Sequence, residues 1–403
     1  MKRYLKNIGP GAIITAAFIG PGTITTCIKS GYETEYSLLG IMIVAILVAI
    51  TIQIFAAKIG IITQIGISRN IRENIHSKIG KVFSSFMIVI GIFVGNSAFE
   101  AGNITGAVIG LTGIIGNGFV VVKVFIISAI VFALLWFGKY KKIEKILQIA
   151  VLIMAVCFIV AAILAKPDIG RIFVEMFDFK IISKNIMMIG ALVGTTVGPY
   201  SIFLHSETAA ERWHSSNDIK YMIFDTIVSI GVGGIISCSI VIVAATTAET
   251  LHISELSINN YVKALSNPIG NVGQFVFYLG LLAAGITSAI TAPLAAAYTV
   301  GGICFSQRID KQGWKFRMIW GLVLCIGALI SIIWGNSPTD LIVIVQFVNA
   351  IILPLIMIFL YVSLNNNKMG KYRNRIWENF LLIIIIIICI LLSVRNIYYL
   401  FNH

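Results

Sequence analysis

Long stretches without an ionised side chain constrain this chain more than any other feature. Residues 36–57, 146–165 and 379–394 contain no Asp, Glu, Lys or Arg, and similar stretches recur along the sequence. An α-helix needs about 20 apolar residues to cross a bilayer. Runs such as Ile384–Ile388 do not alternate between polar and apolar residues, which argues against the strands of a membrane barrel. The sequence therefore predicts an all-α integral membrane protein.

Composition and charge narrow the class further. The 403 residues are 58% hydrophobic and only 12% charged, whereas soluble domains carry about 25% charged residues. This excludes a soluble enzyme, a disordered chain and a nucleic-acid-binding domain. If the N-terminus is cytoplasmic, most of the 30 Lys and Arg residues fall in cytoplasmic segments, which explains the net charge of +13. We expect a multi-pass protein of the cell membrane with no nucleic-acid partner.

The charge-free runs predict eleven transmembrane helices. Glu100 is the only charged residue within the third, which we place at about 83–110. A glycine-rich turn, Gly110–Gly118, is expected after it. The run 264–307 is expected to be one helix with a polar approach.

Two glycine-proline motifs lie in the middle of apolar spans. Gly20-Pro21-Gly22-Thr23 falls in the first span and Gly198-Pro199-Tyr200-Ser201 in the sixth. Proline removes a backbone donor, and unwound backbone survives in lipid only when protein buries it or it lines a cavity. Matching breaks five helices apart indicate a single transporter domain, residues 1–403, with an inverted repeat and a substrate between the breaks. We place repeat one at about 7–165, repeat two at about 185–363, and an extra helix at about 378–397.

The sequence resembles the Nramp family of metal-ion transporters over nearly its whole length. The resemblance is carried by the first broken helix, by Gly194–Ser206 around the second break, by Gly280–Gly285, and by Thr339-Asp340-Leu341 with Gln346. It implies a leucine-transporter-type fold that works by alternating access. It also implies a metal site built from an Asp-Pro-Gly-Asn motif in the first helix and a Met-Pro-His motif in the sixth.

The departures from the family motifs fall on the metal ligands. Gly20 and Thr23 stand where the resemblance implies Asp and Asn, and Gly198 stands where it implies Met. Tyr200 replaces the motif histidine. No metal site made of the family ligands is therefore expected. The small residues Gly20 and Gly198 are expected to leave additional volume.

The candidate site residues divide into two groups. The substrate-binding candidates are Gly20, Pro21, Gly22, Thr23, Thr195, Gly198, Pro199, Tyr200, Ser201 and Gln346. The candidates for coupling an ion or a proton are Glu100, Asn103 and His205. Glu100 qualifies because an ionisable residue inside a membrane span is expensive to keep. In the resemblance, Glu100 and Asn103 align with an acidic pair of a proton route, so one acid is lost, and His205 and Gln346 are retained.

Three functions remain open from the sequence. The first is a transporter with an altered substrate, either a small organic solute or hydrated Mg²⁺. The second is a divalent metal transporter for Mn²⁺ or Fe²⁺ that uses backbone carbonyls and a recruited ligand such as Glu100. The third is a membrane sensor that does not transport.

No enzyme signature and no cofactor motif is present, so neither catalysis nor a cofactor is expected. The expected partners are the bilayer and a small substrate. The oligomeric state is left open, and a monomer is compatible with the sequence.

Asp225, near the predicted start of the seventh span, is expected at a helix end in the membrane interface.

Overall fold

The fold is built only of helices and their connections in the part of the chain described here. A computed structural model describes residues 8–74, 77–138, 140–177, 185–250, 258–305, 310, 313–334 and 352–402, and no strand occurs among them. This confirms the all-α class predicted from the uninterrupted apolar runs. A helix forms all of its backbone hydrogen bonds within one segment, so an apolar run that crosses a bilayer folds as a helix.

The first half of the chain begins with a broken span. Two short helices, α1 and α2, meet at Ile19 and Gly20 with a bend of 56°. Four longer helices and one short one follow. The bounds are α1 Pro10–Phe18, α2 Pro21–Thr34, α3 Leu39–Thr63, α4 Ile67–Asn74, α5 Lys78–Ile115, α6 Val120–Phe137 and α7 Tyr140–Leu164.

The second half repeats the pattern of an interrupted helix followed by continuous ones. A short helix, α8, precedes it. The bounds are α8 Ile169–Glu175, α9 Ile186–Thr196, α10 Pro199–Arg212, α11 Ile219–Thr250, α12 Ile258–Cys304, α13 Trp314–Ile333, α14 Ile352–Leu364 and α15 Ile376–Asn402. Among the described helices, α1 and α2 form the one apolar pair that is bent by more than 40° at a short break. The α9 and α10 helices continue one another as a single span, Met188–Arg212.

The described helices account for ten of the eleven predicted spans. Nine are long and apolar enough to cross a membrane, and the bent pair α1–α2 makes ten. The remaining predicted span, the charge-free run 341–367, is described only from residue 352, where the shorter apolar helix α14 begins. The limits of the two repeats stay a prediction.

The third span is longer than the sequence predicts, and Gly110 explains the difference. A Cβ atom at Gly110 would lie 2.6 Å from the backbone N of Leu282 in α12. Gly110 is therefore a packing residue inside α5, where a small residue lets two helices approach closely. The turn comes later, at Gly116 and Gly118, which have positive φ angles of 94° and 120°.

The α12 helix lies at the centre of the bundle. It packs along α5 and also contacts α7, α10 and α13. At Gly285 a Cβ atom would lie 2.6 Å from the Cβ of Ala107 in α5, so glycine sets how closely these two helices approach. Residues 264–270, expected as a polar approach, belong to the same continuous helix.

Candidate functional site

The break in the first span leaves several carbonyl groups without helical partners. The α1 helix ends at Phe18, and Pro21 is the first residue of α2. The carbonyl of Ala17 would normally accept from the amide of residue 21, and proline has no amide hydrogen. A buried carbonyl without a donor is costly, so the surrounding side chains must supply one.

Three hydroxyl groups supply the missing donors. Ser288 Oγ in α12 donates to the carbonyl of Ala16 at 3.1 Å. Tyr200 Oη in α10 donates to the carbonyl of Ala17 at 2.5 Å, and Thr23 Oγ1 in α2 donates to the carbonyl of Phe18. Each donor comes from a different helix, so these bonds also fix where the two halves of the first span lie.

The second break lies beside the first. The α9 helix ends at Thr196, and Gly198 adopts extended backbone geometry before Pro199 begins α10. Thr195 Oγ1 lies 2.6 Å from Thr23 Oγ1. Since the single hydroxyl proton of Thr23 is committed to a carbonyl, Thr195 is the donor in this pair. One hydrogen bond therefore joins the two breaks directly.

A small cavity lies between the two breaks. The volume open to the centre of a water molecule is about 10 Å³, which is room for about one water. Its lining consists of Ala17, Phe18, Gly20, Gly22, Thr23, Phe99, Asn103, Thr195, Gly198 and Tyr200. Seven of the residues selected from the sequence thus meet in one cavity. Their role in binding a substrate stays a prediction.

The remaining substrate-site candidates have other positions. Pro21 and Pro199 begin the second halves of the two broken helices, and neither lines the cavity. Ser201 Oγ donates to the carbonyl of Gly198 at 2.7 Å and thereby stabilises the second break. Gln346 lies outside the described residues.

The volume expected from the two glycines is found at only one of them. A Cβ atom at Gly20 would lie 2.7 Å from Ser288 Oγ, so that space is occupied. At Gly198 the nearest atoms to such a Cβ lie 3.7 Å away, in Ser201 and Tyr200. Position 198 therefore has room for a side chain, whereas position 20 does not.

Glu100 lies next to the cavity, connected to it through Asn103. Glu100 is fully buried in α5, and Asn103 Nδ2 donates weakly to its Oε2 at 3.5 Å. Its Oε1 atom has no hydrogen-bond partner. Gly327 in α13 faces it closely, since a Cβ there would lie 2.5 Å from Glu100 Cγ. Glu100 therefore has an oxygen free for a proton or a cation.

His205 is connected to the second break by a chain of hydrogen bonds. His205 Nδ1 lies 3.1 Å from Gln53 Oε1, and Gln53 Nε2 donates to Ser201 Oγ at 2.7 Å. Because Gln53 Oε1 is an acceptor, His205 Nδ1 carries the proton. His205 Nε2 is buried and has no hydrogen-bond partner, so it can accept a proton.

Two residues that support the breaks, Ser288 and Gln53, are not predicted from the sequence, and Asp225 lies elsewhere than predicted. Ser288 and Gln53 carry no motif or charge that would distinguish them in an apolar helix. Asp225 was expected at an interface, and it is fully buried. Its carboxylate accepts the amide hydrogens of Gly9 and Gly11 at 3.0 and 2.7 Å. A carboxylate is well placed there because a helix N-terminus carries partial positive charge.

The chemistry of the cavity is that of neutral oxygen atoms. Within the described residues no group of three or more His, Cys, Asp or Glu side chains could hold a metal ion. The polar side chains at the cavity are Thr23, Asn103, Thr195 and Tyr200. Hydroxyl and amide oxygens of this kind coordinate hard cations and form hydrogen bonds to their water.

Comparison with known proteins identifies the family. The model of the natural resistance-associated macrophage protein-like family, Nramp, matches residues 11–399. The chain belongs to the Nramp family. It is thus a member of a family of multi-pass membrane transporters, and its curated relatives are metal transporters.

Two kinds of similarity agree with this assignment. The divalent metal cation transporter MntH of Nostoc sp. is 26% identical over 93% of this chain and 87% of its own length. A crystal structure of the Eremococcus coleocola manganese transporter superposes with a TM-score of 0.81 at 19% identity, covering 98% of this chain and 87% of that one. MhsT in complex with L-phenylalanine gives a TM-score of 0.68 at 15% identity, covering 95% and 98%. The likeness to these structures establishes the leucine-transporter-type fold.

Proposed function

We propose that this chain is a secondary transporter that carries Mg²⁺, with part of its water retained, by alternating access. The observation that carries the proposal is the lining of the cavity between the two breaks. Among the described residues that line it, every polar side chain is a neutral hydroxyl or amide, and none carries a sulfur, an imidazole or a carboxylate.

Ligand chemistry supports a hard cation. Thioether and imidazole ligands favour softer transition metals, whereas oxygen ligands and water suit Mg²⁺, Ca²⁺ and Mn²⁺. Mg²⁺ gives up its water reluctantly and usually keeps several waters when bound. Thr23, Thr195 and Asn103 would then contact the ion or its water, and the buried carboxylate of Glu100 would supply the compensating charge through Asn103.

The size of the cavity supports an ion over an organic solute. Pockets for drug-sized ligands measure about 300–1,000 Å³. The space here accommodates about one water, and Ser288 fills the volume that Gly20 would otherwise leave. This space excludes a drug-sized solute, and Mg²⁺ with retained water requires the cavity to widen during transport. The open space beside Gly198 is the place where a retained water would fit.

Transport of Mn²⁺ is the second candidate, because the relatives are divalent metal cation and manganese transporters. In this case Glu100 Oε1, which has no partner, would be the recruited ligand. Oxygen ligands suit Mn²⁺ as well as Mg²⁺, so the uptake experiment below decides between the two ions. For either ion we place the chain in the cell membrane with its N-terminus in the cytoplasm, as the distribution of Lys and Arg indicates.

Uptake into proteoliposomes tests the proposal. Purified protein is reconstituted around a fluorescent indicator of Mg²⁺ or of Mn²⁺, and uptake is followed at matched external concentrations. We expect saturable Mg²⁺ uptake, weaker Mn²⁺ uptake, and loss of Mg²⁺ uptake in Glu100→Gln. Glu73→Gln, a change at a partly exposed carboxylate away from the cavity, serves as the matched control and should transport normally.

Two results would contradict the proposal. Mn²⁺ uptake faster than Mg²⁺ uptake, lost in Glu100→Gln, would favour the second candidate. Absence of both fluxes in folded protein would exclude both cations as substrates and return the search to small organic solutes.

A further inference from the structure

The side chain of Ser288 occupies the space next to the cavity that a metal-binding side chain at position 20 would need. A Cβ atom built on Gly20 would lie 2.7 Å from Ser288 Oγ, 3.3 Å from Ser288 Cβ and 3.5 Å from Asn103 Oδ1. Real Cβ atoms essentially never approach another atom within 3.0 Å. A side chain at position 20 therefore requires Ser288 to move.

Ser288 is not free to move without loss. Its Oγ donates to the carbonyl of Ala16 at 3.1 Å, with the carbonyl of Ala17 at 3.5 Å. Both carbonyls lie at the unwound end of α1, where helical partners are missing. Turning the hydroxyl away would leave a buried carbonyl without a donor.

We infer that Ser288 is a specificity-determining residue, which keeps the cavity neutral by filling the side-chain space of position 20 and by capping the free carbonyls of α1. The inference rests on the proposed function and extends it to a residue outside both broken helices. Positions 20 and 288 are therefore not independent, because a charged side chain at position 20 requires a smaller residue at position 288.

Binding of Mn²⁺ to the purified full-length protein tests this coupling without reference to the natural substrate. The free ion is measured by its electron paramagnetic resonance signal for the unmodified protein, Gly20→Asp, Ser288→Ala and the double variant. A carboxylate is a strong ligand for a divalent cation, so we expect the double variant to bind Mn²⁺ at least about tenfold more tightly than Gly20→Asp. The comparison is a double-mutant cycle, which isolates the interaction between the two positions.

The control is Thr287→Ala, introduced together with Gly20→Asp. Thr287 is the buried neighbour of Ser288, and its hydroxyl bonds within its own helix to the carbonyl of Ala284 at 3.0 Å. This pair should bind Mn²⁺ no better than Gly20→Asp alone. If Thr287→Ala improved binding as much as Ser288→Ala, the effect would be a general loosening of α12 and the inference would be wrong.

The remaining outcomes also decide the question. Equal Mn²⁺ affinity of Gly20→Asp and the double variant would overturn the inference, since the carboxylate would have found room beside Ser288. Misfolding of Gly20→Asp that Ser288→Ala rescues would support it. If both misfold, Ser288→Ala alone decides: we expect a change of about threefold or more in Mn²⁺ affinity, and no change would overturn the inference. Absence of Mg²⁺ uptake by the unmodified protein would refute the proposed function and leave this test intact.

Discussion

At the break in the first span, side-chain hydroxyl groups replace backbone amides as hydrogen-bond donors. Ser288, Tyr200 and Thr23 donate to three successive carbonyls at the end of α1. In water such carbonyls would be hydrated, whereas inside a membrane they need a protein donor or a bound ion. The protein supplies these donors itself, so a cation is not needed to satisfy this break.

Tyr200→Phe tests this arrangement at the level of one hydrogen bond. The variant keeps the ring, whose centroid lies 5.3 Å from that of Phe99, and loses the donor to Ala17. We expect destabilisation of about 1–3 kcal/mol, because a buried carbonyl loses its partner. Thermal unfolding in detergent measures it as a lower Tm. Tyr361→Phe in α14 is the control, and an equal Tm for Tyr200→Phe and the unmodified protein would contradict the account.

Single residues of the site are only partly predictable from the sequence. Thr23, Thr195 and Tyr200 could be found because glycine and proline mark the breaks beside them. Ser288 could not, since nothing in the local pattern separates it from Thr287 or from the other hydroxyl residues of α12. Its role depends on where α12 meets α1, and this contact is between residues distant in the sequence.

At the scale of whole elements, the first half of the broken helix is held at both ends. The hydroxyls cap its C-terminal end, and the carboxylate of Asp225 in α11 accepts two amides at its N-terminal end. Gly11 is needed for this approach, because a Cβ there would lie 2.8 Å from the carbonyl oxygen of Asp225. The position of α1 thus depends on α10, α11 and α12.

Asp225→Asn should loosen the N-terminal end of α1. An amide side chain has one acceptor oxygen in place of two, so the amide of Gly9 or of Gly11 loses its partner. Hydrogen–deuterium exchange of residues 9–13 should accelerate about tenfold or more, in line with a loss of 1–3 kcal/mol. Asp168→Asn, at the exposed N-cap of α8, should leave this exchange unchanged. Unaltered exchange in Asp225→Asn would show that other contacts hold α1.

The positions of helices can be predicted where the local composition alone determines them. Apolar runs predict ten of the eleven spans at described helices, and both glycine-proline motifs lie where a helix is interrupted. The sequence predicts a turn at Gly110, whereas the structure has a close helix contact there, because a glycine that permits close packing and a glycine that permits a turn look the same in a sequence. Asp225 was misplaced for a similar reason, since burial of a charged residue depends on its partners in the fold.

At the scale of the whole molecule, polar contacts join segments that are distant in the chain. Glu73 in α4 pairs with Arg69 at 2.8 Å and with Lys368 at 2.5 Å, in the 3₁₀ helix Asn367–Tyr372. Lys58 at the end of α3 lies 3.5 Å from Glu378 in α15. The pairs with Lys368 and Glu378 connect the first half of the chain to the 3₁₀ helix and to α15, on the side we assign to the cytoplasm.

The ion pairs of Glu73 with Arg69 and Lys368 make the stability of the fold depend on pH in a known direction. The hydrogen bond from Lys368 lowers the pKa of Glu73 below its ordinary value of 4.5. Because the folded pKa is the lower one, the stabilisation is present above pH 4.5 and is lost as the pH falls through the lowered pKa. Glu73→Gln should therefore lower Tm slightly at pH 7 and not at acid pH. A difference in Tm that persists at acid pH would contradict this assignment, and high salt should reduce the difference at pH 7.

The cation selectivity of uptake tests the central claim most directly. Mg²⁺ uptake into proteoliposomes is measured while Ca²⁺, Mn²⁺ or Cd²⁺ competes at increasing concentration. The described lining offers neutral oxygens and no sulfur ligand, which predicts that Cd²⁺, the softest of these ions, is the weakest competitor. Inhibition by Cd²⁺ at concentrations well below that of Mg²⁺ would contradict the account, because such selectivity requires a softer site than the one between these two helix breaks.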